Sequence, residues 1–138
     1  ACRRFYSVAE HSVYVSLNCD LEHALRGLLH DATEAYIGDM SAPLKHWHSF
    51  ANYRDLETGV DRVICDAFGL DYAMHPSIKE ADERVFHTER GDLMHQNSTM
   101  TWYPKNATPY EFEIKCWTPE QAERIFLSRY EECCRVNA

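Results

Sequence analysis

Apolar residues recur at helical spacing through most of this sequence, and three of the apolar faces carry an imidazole or a carboxylate. His11 lies among valines, His30-Asp31 interrupts the leucine-rich run 24–34, and Asp82 lies in a stripe of isoleucine, alanine and valine. Such spacing predicts amphipathic helices, and burying a charged group without a partner on their apolar faces is costly. For His30-Asp31 alone, a satisfied core histidine beside a capping aspartate is an equally good explanation. Three such faces together favour a shared site.

The periodicity predicts an all-α bundle with at most one short extended stretch. Ser7 and Glu10 form a capping-box pattern before the first helix, and Pro76 stands at the favoured first-turn position of the fourth. The predicted helices run from Val8 to about Leu17, Leu21 to Ile37, about Phe50 to Phe68, Pro76 to just before Gly91, and Pro119 onward. The predicted buried stripes include Leu21 and Leu25 in the second helix and Leu56, Val60, Val63, Ile64 and Ala67 in the third. Asp39 to His48 is predicted to be a loop, and Tyr110 to Cys116 the extended stretch.

Length and composition predict a single domain over residues 1–138. Because the chain opens on Ala1 rather than Met, we expect the native N-terminus to be incomplete. No apolar run is long enough to span a membrane, and no signal peptide is visible. The six cysteines lack C-x-x-C spacing, which predicts reduced thiols in the cytosol. A net charge of −8 argues against binding a nucleic-acid polymer, but a small anionic substrate is compatible with a local cation.

His11, His30, Asp31 and Asp82 come from three predicted helices, and a bundle can bring their faces to one interior point. Two imidazoles and two carboxylates form a mixed nitrogen and oxygen set that suits a divalent transition ion. Four protein ligands would leave positions open for water and substrate, and a bound water could become a nucleophile. The sequence therefore predicts a divalent metal site, whose ion is Zn, Co, Mn, Fe or Mg.

This order of residues, one histidine, then a His-Asp pair, then an aspartate, resembles the His-Asp (HD) superfamily of metal-dependent phosphohydrolases from about Arg3 to Leu93. The stretches that look closest to one branch are Ser7–Ser12, His30–Asp39, Lys79–Asp82 and Thr88–Met94. That branch holds the bacterial 5′-deoxynucleotidases and the phage-type dATP triphosphohydrolases. The resemblance implies an HD-type helical bundle around a central metal.

The resemblance makes His11, His30, Asp31 and Asp82 the metal ligands. It gives Glu34 the task of orienting or deprotonating the attacking water, or of protonating the leaving oxygen, and places Asp39 near the reacting phosphate. Glu34 would lie one helical turn after His30, on the same face. The candidates for phosphate contact are Arg4, Lys45 and Lys79, although exposed basic residues are often only solvated.

The leading hypothesis is a triphosphohydrolase that releases deoxynucleoside and triphosphate from a dNTP of the dATP type. A 5′-deoxynucleotidase that releases phosphate from a dNMP uses the same ligands, and a non-catalytic module that binds or senses nucleotides is the alternative of another class. Trp102, Tyr103 and Tyr110 are candidates for stacking on the base, or are simply core. We expect a homo-oligomer in the cytosol of a bacterium or a phage-infected host.

Overall fold

The computed structural model describes residues 2–45, 47–94 and 107–136, and all regular structure in these ranges is helical. The α-helices are α1 (Val8–Asn18), α2 (Ala24–Leu28), α3 (Glu34–Ile37), α4 (Ala42–Lys45), α5 (Ala51–Phe68), α6 (Pro76–Leu93) and α7 (Pro119–Val136), with short 3₁₀ helices at Leu21–His23 and His48–Phe50. The predicted all-α class is confirmed. The chain forms two compact units, unit 1 from Ala1–Leu28 with His75–Ala138 and unit 2 from Leu29–Met74. The single domain over residues 1–138 stays a prediction.

Local capping signals place most helix ends where the sequence predicts them. Ser7 is the N-cap of α1, and its hydroxyl accepts a hydrogen bond from the Glu10 amide at 3.1 Å. Gly69 ends α5 with a φ of 64°, a left-handed conformation that glycine adopts without strain. The end of α6 is the exception, because the helix passes Gly91 and continues to Leu93. Leu93 is buried, and its packing holds the extra turn.

The predicted second helix, Leu21–Ile37, is wrong as a continuous element. A short 3₁₀ helix at Leu21–His23 leads into α2, which ends at Leu28. Turns then occupy residues 29–33 before α3 begins. Amide-to-carbonyl bonds of the i to i−3 type follow, from Ala32 to Leu29 and from Glu34 to Asp31. Histidine, aspartate and threonine all have weak helix propensity, and they are concentrated in this stretch. His30-Asp31 therefore lies on a tight turn.

Unit 1 is built around α1, which packs against α2, α6 and α7. Ser16, on the buried side of α1, is satisfied by hydrogen bonds, since it donates to the Ala24 carbonyl at 2.8 Å and accepts from Arg129 at 3.0 Å. Gly27 lets α2 lie close to the end of α1, since a Cβ there would lie only 2.9 Å from Cys19 Sγ. Leu21 is exposed, contrary to the prediction, because the 3₁₀ turn changes its direction. The largest fully buried apolar side chains of this unit are Leu28, Ile78, Leu93, Ile114, Val13, Val15 and Val85.

The predicted extended stretch forms no strand in the described ranges, because the chain bends at residues 111 and 112 and Cys116 has a φ of 59°. Its backbone amides donate instead to side chains on α1 and α6. These bonds run from Tyr110 to Thr88, from Ile114 to Asp92, and from Cys116 and Trp117 to Glu10. Because helix side chains satisfy these donors, the segment needs no strand partner to lie against the core.

Unit 2 is organised by α5, and its predicted buried stripe is wrong at Leu56, Val63 and Ala67, which are exposed, and right at Ile64. The more buried face of α5 combines the buried Ile64 and Cys65 with polar residues that form specific bonds. The Lys45 ammonium donates to Glu57 at 2.7 Å, and the Tyr53 hydroxyl donates to the Gly38 carbonyl at 2.8 Å. The predicted loop at Asp39–His48 contains the short helix α4.

All six cysteines are free. In the parts of the chain that the structure describes, no helix combines the length and the apolar character that crossing a membrane requires.

Candidate metal centre

In unit 1, His11 lies between two carboxylates of α6. Its Nε2 is 3.2 Å from Asp82 Oδ1, and its Nδ1 is 2.6 Å from Glu89 Oε1. Asp82 and Glu89 are seven residues apart, which is two turns, so both lie on the same face of α6. Helical side chains lean toward the N-terminus of their helix, so the longer Glu89 side chain extends toward Asp82. One imidazole can therefore contact both residues.

The two contacts place a requirement on the His11 ring. A neutral imidazole has one N–H, and an ionised carboxylate only accepts hydrogen bonds. If Glu89 accepts from Nδ1, the lone pair of Nε2 points toward the Asp82 oxygen. Two lone pairs at 3.2 Å repel unless the ring is protonated or a cation lies against both atoms. The contacts of His11 are therefore compatible with a protonated ring and also with a bound cation.

Glu89 is itself held by Tyr6, whose hydroxyl donates to the same Oε1 atom at 2.6 Å. Burial, followed by the charge of Glu89, raises the pKa of Tyr6 well above its ordinary value, so the phenol stays protonated. A distance of 2.6 Å is typical of an O–H donor on an ionised carboxylate. Tyr6, Glu89 and His11 thus form a chain of two short hydrogen bonds.

In unit 2, the turn after α2 brings the two members of His30-Asp31 together. The His30 Nε2 atom lies 3.2 Å from Asp31 Oδ2. The imidazole is nearly buried, with 6% of its side chain exposed, whereas 32% of the Asp31 side chain is exposed. The turn therefore presents one nitrogen and one oxygen at the same separation as the His11–Asp82 pair.

This separation fits two ligands of one ion. Two atoms that lie about 2.1 Å from an ion and about 90° apart are separated by about 3.0 Å, and at the tetrahedral angle by about 3.4 Å. The observed 3.2 Å in both pairs falls within this range. Each histidine–carboxylate pair is thus suited to hold a divalent metal.

The two predicted catalytic carboxylates lie in unit 2. Glu34 begins α3, where it is partly buried, and Asp39 is exposed after Gly38. The turns at residues 29–33 remove the reason for placing Glu34 on the same helical face as His30, since 3₁₀-type turns advance by about three residues rather than 3.6. The position of Glu34 relative to His30 and the catalytic roles of Glu34 and Asp39 stay predictions.

The three basic residues that are predicted to contact phosphate differ in their exposure and in their ion pairing. Arg4 and Lys79 are exposed. Lys45 forms an ion pair with Glu57. Burial alone would lower the pKa of Lys45, but the hydrogen bond and charge of Glu57 outweigh it and raise the pKa above the ordinary value. A phosphate would have to compete with Glu57 for Lys45, so Arg4 and Lys79 are the more available cations.

Of the three aromatic residues that are predicted to stack on the base, the structure describes only Tyr110. Trp102 and Tyr103 lie outside the described residues. Tyr110 stacks on Phe112 with ring centroids 5.4 Å apart, and the Arg84 guanidinium lies 3.9 Å from the Tyr110 ring centre. Tyr110 is thus already sandwiched by groups of its own unit.

The contribution of Glu89 and Tyr6 to this centre was not predicted from the sequence. The available signal was the spacing of Glu89, which repeats the helical position of Asp82 two turns later. Tyr6 gave no signal, because its contact with Glu89 joins residues 83 positions apart.

The chain is 35% identical over 130 residues to the uncharacterized protein YfdR of Escherichia coli (strain K12). The alignment covers 93% of this chain and 71% of that protein. No protein-family model matches the sequence.

Proposed function

The chain belongs to the family of the Escherichia coli protein YfdR, and we propose that it is a metal-dependent phosphohydrolase acting on deoxynucleotides. The observation that supports this most is the His11 ring between Asp82 and Glu89, which suits a cation. The resemblance of the sequence to HD phosphohydrolases supplies the reaction class.

The proposed ligands are His11, His30, Asp31 and Asp82. Each unit provides a nitrogen–oxygen pair separated by 3.2 Å, and the order of these residues in the sequence supports assigning them to one ion. A divalent ion such as Zn, Co, Mn or Mg acidifies water and stabilises negative charge on phosphoryl oxygens. It also offsets the net charge of −8, which would otherwise repel a phosphorylated substrate.

The remaining roles fall to residues of the chain itself. Glu34 takes a proton from the attacking water or gives one to the leaving oxygen, and Asp39 helps to orient that exchange. Lys79 and Arg4 bind phosphate oxygens, because both are exposed cations. Lys45 joins them only when its ion pair with Glu57 opens.

Replacing Glu34 by glutamine tests the proton transfer. We expect unchanged metal content and a kcat lower by about 100- to 10,000-fold, the usual contribution of a general acid or base. Metal analysis and steady-state kinetics check this result. Glu131→Gln, an exposed glutamate on α7, is the control and is expected to keep full activity. A Glu34→Gln protein with the wild-type rate would remove Glu34 from the mechanism.

A product assay distinguishes the possible reactions. The protein is incubated with dNMPs and dNTPs in the presence of Mn²⁺, Co²⁺, Mg²⁺ or Zn²⁺, and released phosphate and triphosphate are measured. We expect triphosphate and deoxynucleoside from a dNTP, with dATP the preferred substrate, since Ser41–Lys45 and Thr88–Met94 resemble the phage-type branch. Phosphate from dNMPs would instead indicate a 5′-deoxynucleotidase. No product with any metal would reject the enzyme and favour a nucleotide-binding module.

We also propose that the protein works as a homo-oligomer in the cytosol. Exposed Leu56 and Val63 on α5 support self-association, since apolar side chains at helical spacing on a surface favour a partner. Mass measurement in solution tests this.

A further inference from the structure

Glu89 is the carboxylate of this centre to which neither the sequence nor the family resemblance gives a role. It lies 14% exposed on α6 and receives two hydrogen bonds at the same oxygen, from Tyr6 and from His11 Nδ1. A single oxygen that accepts two bonds of 2.6 Å is strongly fixed in position.

We propose that Glu89 is a positioning residue, which fixes the His11 ring so that Nε2 is the atom available to a divalent metal. This inference rests on the proposed metal centre. Glu89 holds the proton on Nδ1, and the lone pair is left on Nε2, which faces Asp82. Tyr6 in turn holds the Glu89 carboxylate and prevents it from turning away.

The geometry separates the tasks of the two carboxylates. Asp82 is 47% exposed and contacts the nitrogen that would bind the metal, so it suits a direct ligand. Glu89 is on the far side of the ring, contacting the other nitrogen, and therefore acts on the metal only through His11. A carboxylate behind a liganding histidine fixes the ring orientation and raises its basicity, and losing such a group typically lowers metal affinity about 10- to 100-fold.

The test measures metal binding rather than turnover. Co²⁺ is titrated into the full chain at one pH, and the dissociation constant and visible absorption spectrum are recorded. We expect Glu89→Ala to weaken Co²⁺ binding by about 10- to 100-fold and to shift the spectrum. Glu89→Gln keeps an acceptor for Nδ1 without the charge, so we expect an intermediate affinity. Tyr6→Phe keeps the contact between Glu89 and His11 but removes the bond that restrains Glu89, so we expect the smallest of the three effects.

Glu80→Gln is the matched control, because it removes the same charge from an exposed position on the same helix. We expect its Co²⁺ affinity to stay within about threefold of wild type, an effect of the size expected for one screened surface charge. Equal effects of Glu80→Gln and Glu89→Gln would overturn the inference, since charge alone would then explain them. An unchanged affinity and spectrum in all Glu89 variants would also overturn it while leaving the metal centre intact. A wild-type protein that binds no divalent ion would overturn the metal centre itself. Thermal unfolding of the metal-free variants shows whether each is folded.

Discussion

Replacing His30 or Asp31 by alanine is expected to remove the metal and to abolish turnover. His30 is nearly buried, and its Nε2 forms a pair with Asp31 at 3.2 Å, so each substitution removes half of the donor set of unit 2. Losing a group behind a ligand costs about 10- to 100-fold in affinity or activity, and losing the ligand itself costs more. We therefore expect turnover to fall by at least about 1,000-fold. Metal analysis of the purified variants and the product assay measure the two effects separately.

His23→Ala is the control for this experiment. His23 also lies in a helical turn and stacks on His75 with ring centres 3.9 Å apart, but it is not in the proposed ligand set. We expect this variant to keep its metal and its rate. Asp31→Asn, which keeps the size of the side chain, guards against a folding defect. A folded His30→Ala or Asp31→Asn protein with the wild-type metal content would remove that residue from the centre.

Replacing Glu10 by alanine is expected to cause the largest loss of stability in the chain. Glu10 is fully buried and accepts three hydrogen bonds, from the amides of Cys116 and Trp117 and from the Tyr14 hydroxyl. Each buried donor left without a partner costs about 1–3 kcal/mol. The backbone at Cys116 has a φ of 59°, a conformation that a residue other than glycine adopts only when its surroundings hold it. We expect the free energy of unfolding to fall by at least about 3 kcal/mol.

Urea unfolding measures this loss, and the exchange rates of the Cys116 and Trp117 amides locate it. Because Glu10→Ala is predicted to unfold much of the protein, Glu10→Gln is the second variant, with an expected loss of about 1–3 kcal/mol. The Glu10→Gln substitution replaces one carboxylate oxygen, which accepts hydrogen bonds, by an NH2 group, which would face the donors that Glu10 now binds. Glu123→Gln, on an exposed position of α7, is expected to change stability by less than about 0.5 kcal/mol. Equal stabilities of Glu10→Gln and Glu123→Gln would contradict the structural role.

Helix ends could be predicted from the sequence wherever the signal was local. Ser7, Gly69 and Pro76 each fix an end through their own backbone or side chain, and all three predictions are confirmed. The capping box was only half right. Ser7 caps α1 as predicted, but the Glu10 carboxylate binds residues 106 and 107 positions away instead of returning to the helix end.

The wrong predictions have one physical cause. A helical pattern shows which residues could share a face, but polar contacts with distant residues decide which face is buried and where the helix is interrupted. The apolar spacing of Leu56 and Val63 is helical, yet the bonds of Glu57 and Tyr53 turn a different face of α5 inward. Continuous helical spacing through residues 21–37 likewise concealed the turns at His30-Asp31. The candidate ligands could be predicted because each is a polar residue in an apolar stripe, whereas Glu89 lies on the same face without that contrast.

The contacts of Glu10 also determine when unit 1 can complete its core during translation. Unit 1 takes its residues from two stretches of the chain, 1–28 and 75–138, and unit 2 is the continuous stretch between them. As a ribosome makes the chain, α1 leaves it before residues 116 and 117, so the Glu10 carboxylate is as yet without its amide partners. Those partners are made only when residues 116 and 117 have been translated. Until then α1 is a nascent helix whose Glu10 carboxylate stays in water, and unit 1 can complete its core only after residues 116 and 117 have been made.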